Sequence, residues 1–335
     1  MSVLERFPVG ATGHRGGRRT WRPPRPWDTD RAARDRVYTP SSCVAEMDAY
    51  LREYADRSAQ ARKLLPWRAI RYGPDDAEML HFFPATQPRA TQPRMTQPRA
   101  TQPRMTQHRA PLHVFIHGGY WQELSEAESS FAASDFVSRG SAFAALGYGL
   151  APRHRLDEIV TMVRKGVRWL HRHATALGVD SGRIFLSGSS AGAQLAAMCL
   201  LEGWLPEPLR PRDVVRGATL LSGVYELEPL GHTYIGEAIG LGVGEASRNS
   251  PIRHLPAGLP PLIVARGGVE TEAFVDQHDD LVNALHQLGA PVIDLIVPGR
   301  NHFDLPLGLG DPADALGSAV LAQMELTAVP ERECG

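Results

Sequence analysis

Cysteine is scarce in this 335-residue chain, net charge is almost absent, and no long apolar run occurs. The three cysteines, Cys43, Cys199 and Cys334, are widely spaced and form no Cys-x-x-Cys pair, so neither a disulfide framework nor a zinc site is suggested. Cys199 sits in an apolar helical stretch and reads as core. No stretch of about 18 apolar residues is present, and the first residues lack the apolar centre of a secretory signal. Neither a membrane partner nor secretion is expected, and the expected compartment is the cytoplasm. Lysine and arginine (36) balance aspartate and glutamate (37), so no strong field favours nucleic acid, and a small-molecule partner is the default.

What is present is ordinary for a globular enzyme: 43% hydrophobic and 22% charged residues, in a chain long enough to bury a large core. Residues 1–37 carry a run of arginines from Arg15 to Arg36 among Gly, Pro and Trp, and read as a flexible extension. An organelle-targeting segment is the other reading of that composition, but Asp28, Asp30 and Asp35 and the scarcity of Ser weigh against it. From Tyr38 the pattern changes. Ser41 and Ser42 can cap a helix whose apolar positions Val44, Met47, Tyr50, Leu51 and Tyr54 recur at helical spacing. One catalytic domain is expected over residues 38–326, with a tail over 327–335.

Residues 86–110 are a low-complexity array of five units, from Thr86-Gln87-Pro88-Arg89-Ala90 to Thr106-Gln107-His108-Arg109-Ala110. Proline in four of the units blocks helix and sheet, so the array reads as a disordered insertion in a surface loop, where added length costs little entropy. Its arginines could instead meet an anionic surface. On either side the chain reads as an edge hairpin (Trp67–Tyr72 and Met79–Phe83), then as short apolar strands alternating with helices. The strands are Leu112–Ile116, Ser141–Gly147, Arg183–Leu186, Gly217–Leu221, Pro261–Ala265 and Val292–Val297. The long helix Leu156–Leu177 is amphipathic, with Arg164, Lys165 and Arg168 facing away from the core. Strands separated by helices imply an α/β fold with a mostly parallel, doubly wound sheet and helices on both faces. The irregular, Gly-rich stretch 226–251 is expected to wall a pocket beyond the strands' carboxyl ends.

The chemistry gathers at strand ends. Gly188-x-Ser190-x-Gly192 joins a strand to a helix, the sharp turn that exposes a serine Oγ beside free helix N–H groups. Ser190 is the candidate nucleophile, and Ala191 one oxyanion donor. His117-Gly118-Gly119 follows an earlier strand and can supply the second donor from Gly118 or Gly119. Tyr120 and Trp121 after it are either pocket or core aromatics. A serine nucleophile needs a base, and the base needs an acid to fix its tautomer. Among 13 histidines, His302 lies in the loop leaving the last strand, with His278 on a helix as its nearest competitor. Glu270 in the loop after a strand is the candidate acid, with Glu272 next. The order Ser190, carboxylate, His302 is that of α/β-hydrolases.

These residues resemble the serine-dependent kynurenine formamidases (arylformamidases) of the α/β-hydrolase fold. The resemblance rests on the segments His117–Trp121, Gly188–Gly192, Leu221–Leu230, Arg248–Pro251, Glu270-x-x-x-Phe274-x-x-Gln277 and Asn301–Asp304, with Tyr38–Ser42 and Tyr72-Gly73 upstream. It covers residues 38–326 outside the repeat. It implies hydrolysis of N-formyl-L-kynurenine to kynurenine and formate without metal or cofactor. It assigns Ser190, His302 and Glu270 as nucleophile, base and acid, Gly118, Gly119 and Ala191 as the oxyanion hole, and Tyr120 and Trp121 as walls for an aromatic substrate. The family usually has Asp where Glu270 stands, and His where Ser189 stands. A broader carboxylesterase or arylesterase with the same machinery stays open, as does a homodimer.

Overall fold

The computed structural model describes residues 30–86 and 109–326. The extension through residue 29, repeat residues 87–108 and the tail from residue 327 lie outside the described residues. Eight strands form one sheet: β1 (Arg68–Arg71), β2 (Met79–Phe83), β3 (Ala110–Ile116), β4 (Ala142–Leu146), β5 (Val179–Ser189), β6 (Gly217–Leu221), β7 (Leu262–Val269) and β8 (Val292–Asn301). Their order is β1-β2-β4-β3-β5-β6-β7-β8, with β1 and β2 antiparallel at one edge and β4 to β8 parallel. This is the mostly parallel α/β sheet expected from the alternation of strands and helices.

The helices are α1 (Arg31–Val37), α2 (Met47–Leu64), α3 (Ala133–Ser138), α4 (Leu156–His173), α5 (Ala191–Met198), α6 (Pro211–Val214), α7 (Tyr234–Ala238), α8 (Val243–Arg248), α9 (Glu272–Gln287) and α10 (Ala315–Gln323). Successive strand side chains point to opposite faces, and the central strands are apolar on both. Leu112, Val114 and Ile116 of β3 join a core with the inner faces of α4, α5 and α9. Phe115 joins a second core with residues of α2, α3 and α10. The same alternation recurs in β4 and β7, so the sheet is covered on both sides.

Several local expectations are corrected. Residues 31–37, placed in the extension, form α1, capped by Asp30. The folded part therefore starts ahead of residue 38. The reason is tertiary: Val37 is buried, its carbonyl accepts a hydrogen bond from Thr271, and Arg31 pairs with Glu237. Ser41 and Ser42 lie in a 3-10 turn (Pro40–Cys43) rather than capping α2, which starts at Met47. On α4, Arg164 and Lys165 are only partly exposed, and each has a partner. Arg164 donates to the Met198 carbonyl at the C-terminus of α5, satisfying an orphan acceptor, and Lys165 pairs with buried Glu78.

Burial also sets an acid limit on stability. His113 and His117 are fully enclosed, and burial pushes their pKa values down to about 3 and about 4. The unfolded chain takes up these protons near its ordinary histidine pKa of about 6.5, whereas the native state refuses them until far lower pH. The unfolded state then binds more protons, so stability rises with pH and falls on acidification. Urea titrations between pH ~6 and ~4 are expected to lose up to about 1.4 kcal/mol per pH unit for each of the two histidines, less at the acid end as His117 begins to protonate. A flat profile over that window would contradict this account.

Candidate active site

β5 ends at Ser189 and α5 starts at Ala191, so Ser190 alone turns the chain. Its φ of 56° and ψ of −120° are a conformation that L-residues rarely adopt, of the kind that costs about 1–3 kcal/mol. The flanking glycines are forced by close approach. A Cβ on Gly188 would stand 2.1 Å from the Gly192 carbonyl oxygen, and one on Gly192 would stand 2.1 Å from that of Ile116. The same approach brings the end of β3 against the turn.

The loop after β3 is held on that turn. A Cβ on Gly118 would meet the Ser189 carbonyl oxygen at 2.7 Å and Ser190 Cβ at 3.1 Å, so only glycine lets this backbone lie so near Ser190. Gly119 has a φ of +89°, the left-handed region that favours glycine. Ala191 is the first residue of α5, where N–H groups have no intrahelical partner. The His117 ring stacks on Tyr148 at 4.1 Å, and its Nδ1 donates to the Gly118 carbonyl at 3.0 Å. Tyr148 in turn donates to the His117 carbonyl at 2.8 Å, so both rings brace the loop.

Tyr120 and Trp121 part company. Both have positive φ, 47° and 60°, and their side chains end in different surroundings. Tyr120 lines the cavity above Ser190 and donates to the Tyr38 carbonyl. Trp121 does not line it. Fully buried, its Nε1 donates to Gln194 Oε1 at 3.1 Å, so it is a core residue tying the loop to α5 rather than a substrate wall.

The candidate acid and base are set side by side by the sheet. Val269 at the end of β7 pairs with Asn301 at the end of β8, and the next residues are Glu270 and His302. His302 Nδ1 donates to Glu270 Oε2 at 3.0 Å, and Ser222 Oγ donates to Glu270 Oε1 at 2.5 Å. Side-chain exposure is 4% for His302 and 0% for Glu270, so the pair acts where water screens little. Glu272, the other carboxylate considered, is exposed at the start of α9. His278, the competing histidine, is buried and joined to Asp294 at 2.7 Å.

Ser190 and His302 line one cavity of about 300 Å³, together with Gly118 and Gly119. No hydrogen bond joins Ser190 Oγ to the His302 ring among the described residues; such bonds often tighten only around substrate. Tyr54, Phe115, Tyr120, Phe131, Tyr234 and Phe303 supply aromatic walls. Tyr234 and Ile235 come from the 226–251 stretch, which folds into short helices and does wall the pocket. Among the described residues, no group of three His, Cys, Asp or Glu side chains could hold a metal ion.

Several positioning residues were missed in the sequence. Asn301 Oδ1 accepts from the backbone N–H groups of Phe303 and Asp304, and Asp304 Oδ1 accepts from that of Asn301, clamping the His302 loop. Tyr50 and Tyr54 of α2 reach Asn301 and the Phe303 carbonyl. The Asn301-to-Asp304 motif was the signal for the clamp. Nothing local marked the two tyrosines or Ser222.

Residues 101–204 match the family described as BD-FAE. A kynurenine formamidase of Danio rerio is 35% identical over 200 residues, and one of Salmo salar is 35% identical over 201 residues. Each alignment covers 58% of this chain and 66% of the relative, so the chain spans just under two thirds of their length. A crystal structure from Silicibacter sp. TM1040, described as a thioesterase, superposes with a TM-score of 0.69 at 26% identity, covering 85% of this chain and 97% of that one. The chain thus has the sheet of the α/β-hydrolase fold and is similar in sequence to kynurenine formamidases.

Proposed function

We propose that the protein hydrolyses N-formyl-L-kynurenine to L-kynurenine and formate. The observation that carries this reading is the convergence of Ser190 and the His302–Glu270 pair on one small, aromatic-walled cavity. A cavity of about 300 Å³ is at the small end of ligand sites, which suits a single-ring substrate with a one-carbon acyl group. Ser190 Oγ attacks the formyl carbon as His302 Nε2 takes its proton. The carbonyl π electrons move onto oxygen, which accepts hydrogen bonds from the N–H groups of Ala191 and of Gly118 or Gly119.

The C–N bond then breaks, and His302 returns the proton to the departing aryl nitrogen. Water, deprotonated by His302, attacks formyl-Ser190; the C–Oγ bond breaks, and the serine regains its proton as formate leaves. Glu270 stays ionised, holding the Nδ1 proton and stabilising the imidazolium. The free thiols Cys43 and Cys199 support a reducing compartment such as the cytoplasm.

A second reading, hydrolysis of small aryl esters, is favoured by the likeness to the Silicibacter structure described as a thioesterase. The two separate in kcat/KM: the formamidase reading expects formylkynurenine to exceed 4-nitrophenyl acetate. A strong preference for the acetate favours the esterase.

A further inference from the structure

The cavity has a charge asymmetry that the aromatic walls do not explain. Among its lining residues Glu123 is the single carboxylate, and no lysine or arginine lines it. Of the two lining histidines, His117 is held neutral by burial and His302 is paired with Glu270. Glu123 is exposed yet lines the cavity, which puts it where the cavity opens to solvent. It is fixed to the glycine loop beside Ser190: its N–H donates to the Gly119 carbonyl at 3.1 Å. A Cβ on Gly119 would lie 2.5 Å from the Glu123 carbonyl oxygen. Its carboxylate has no ion-pair or side-chain hydrogen-bond partner among the described residues.

An unpaired carboxylate, carried on a residue whose backbone is anchored at the mouth of a largely apolar cavity, attracts a cation and repels an anion. We propose that Glu123 is a specificity-determining residue that receives the ammonium group of the substrate, selecting aromatic formamides that carry an amine. For N-formylkynurenine this rests on the formamidase reading. With the formyl carbon at Ser190, the amino-acid end of the molecule lies at the other end, toward the mouth, where its ammonium meets Glu123 and its carboxylate stays in water.

The test is equilibrium binding by calorimetry of kynuramine, an aromatic amine cation, and its neutral N-acetyl derivative, to wild type and Glu123→Gln. Alongside it, KM and kcat are measured for formylkynurenine and its des-amino analogue. Wild type is expected to bind kynuramine on the order of fivefold more tightly than the acetylated form, and the variant to bind both alike. Formylkynurenine is expected to lose a similar factor in KM rather than kcat, with its advantage over the des-amino analogue erased. Equal binding of the two ligands by wild type, no binding of either, or a preference that survives Glu123→Gln overturns the proposal. A preference that depends on Glu123 without formylkynurenine turnover upholds the cation site and sinks the formamidase reading instead.

Discussion

Ser190→Ala is expected to lower kcat/KM for formylkynurenine by roughly four to six orders of magnitude while leaving the fold intact. In the proposed reaction Ser190 Oγ carries the formyl group. Ser189 is adjacent and lines the same cavity, but it ends β5 in a strand position, whereas Ser190 occupies the strand-to-helix turn beside the free N–H groups that open α5. Alanine at a φ of 56° is strained much as serine is, so the variant keeps the turn. Thermal unfolding close to that of wild type, combined with lost turnover, separates a chemical effect from a folding one. Residual catalysis from the oxyanion donors and binding alone would remain above the uncatalysed rate.

Glu270→Gln is expected to cost about three orders of magnitude in kcat/KM, whereas Glu272→Gln should stay near wild type. The amide can sit two ways between His302 and Ser222. With its NH2 toward His302 Nδ1, that nitrogen must accept, the ring proton moves to Nε2, and the base function is lost. With its oxygen toward His302, Ser222 turns to accept from the amide and the tautomer survives. The negative charge that stabilises the imidazolium in a buried site is still gone. Both arrangements lower the rate, the first more than the second. Steady-state kinetics of the two variants decides the assignment, and a large loss in Glu272→Gln with none in Glu270→Gln would reverse it.

Much of this site was legible because its chemistry sits where periodicity breaks. The apolar run through Leu186 and the alanine-rich stretch after Ser190 mark a strand-to-helix turn without any structure. Glu270 and His302 were legible as residues beyond strands, but not as neighbours. β7 and β8 run past their apolar stretches, through glycines and Pro298, and only the pairing of Val269 with Asn301 makes the two adjacent. Gly267 serves that approach, since a Cβ there would meet the Arg300 carbonyl oxygen at 2.3 Å.

What stayed hidden depends on contacts between distant residues. Helix α1 is short and arginine-rich, with little intrinsic reason to form; Thr271 and Glu237 hold it in place. Trp121 was misplaced because a motif gives residue types but not the direction in which consecutive left-handed residues send their side chains. Ser222 reaches Glu270 through strand register: β6 lies between β5 and β7, and Ser222 follows Leu221, which pairs with both Ser189 and Ala265. The residues that orient the acid and base thus come from α2, β6 and the strand ends, far apart in the chain.

The role of Ser190 as a nucleophile activated by His302 is tested most directly by mass spectrometry of the wild-type protein and His302→Ala after reaction with a fluorophosphonate. A single phosphonyl adduct is expected on the peptide bearing Ser190, formed rapidly in wild type and slowed by orders of magnitude in His302→Ala. An adduct on another residue, or equal rates in the two proteins, would contradict it.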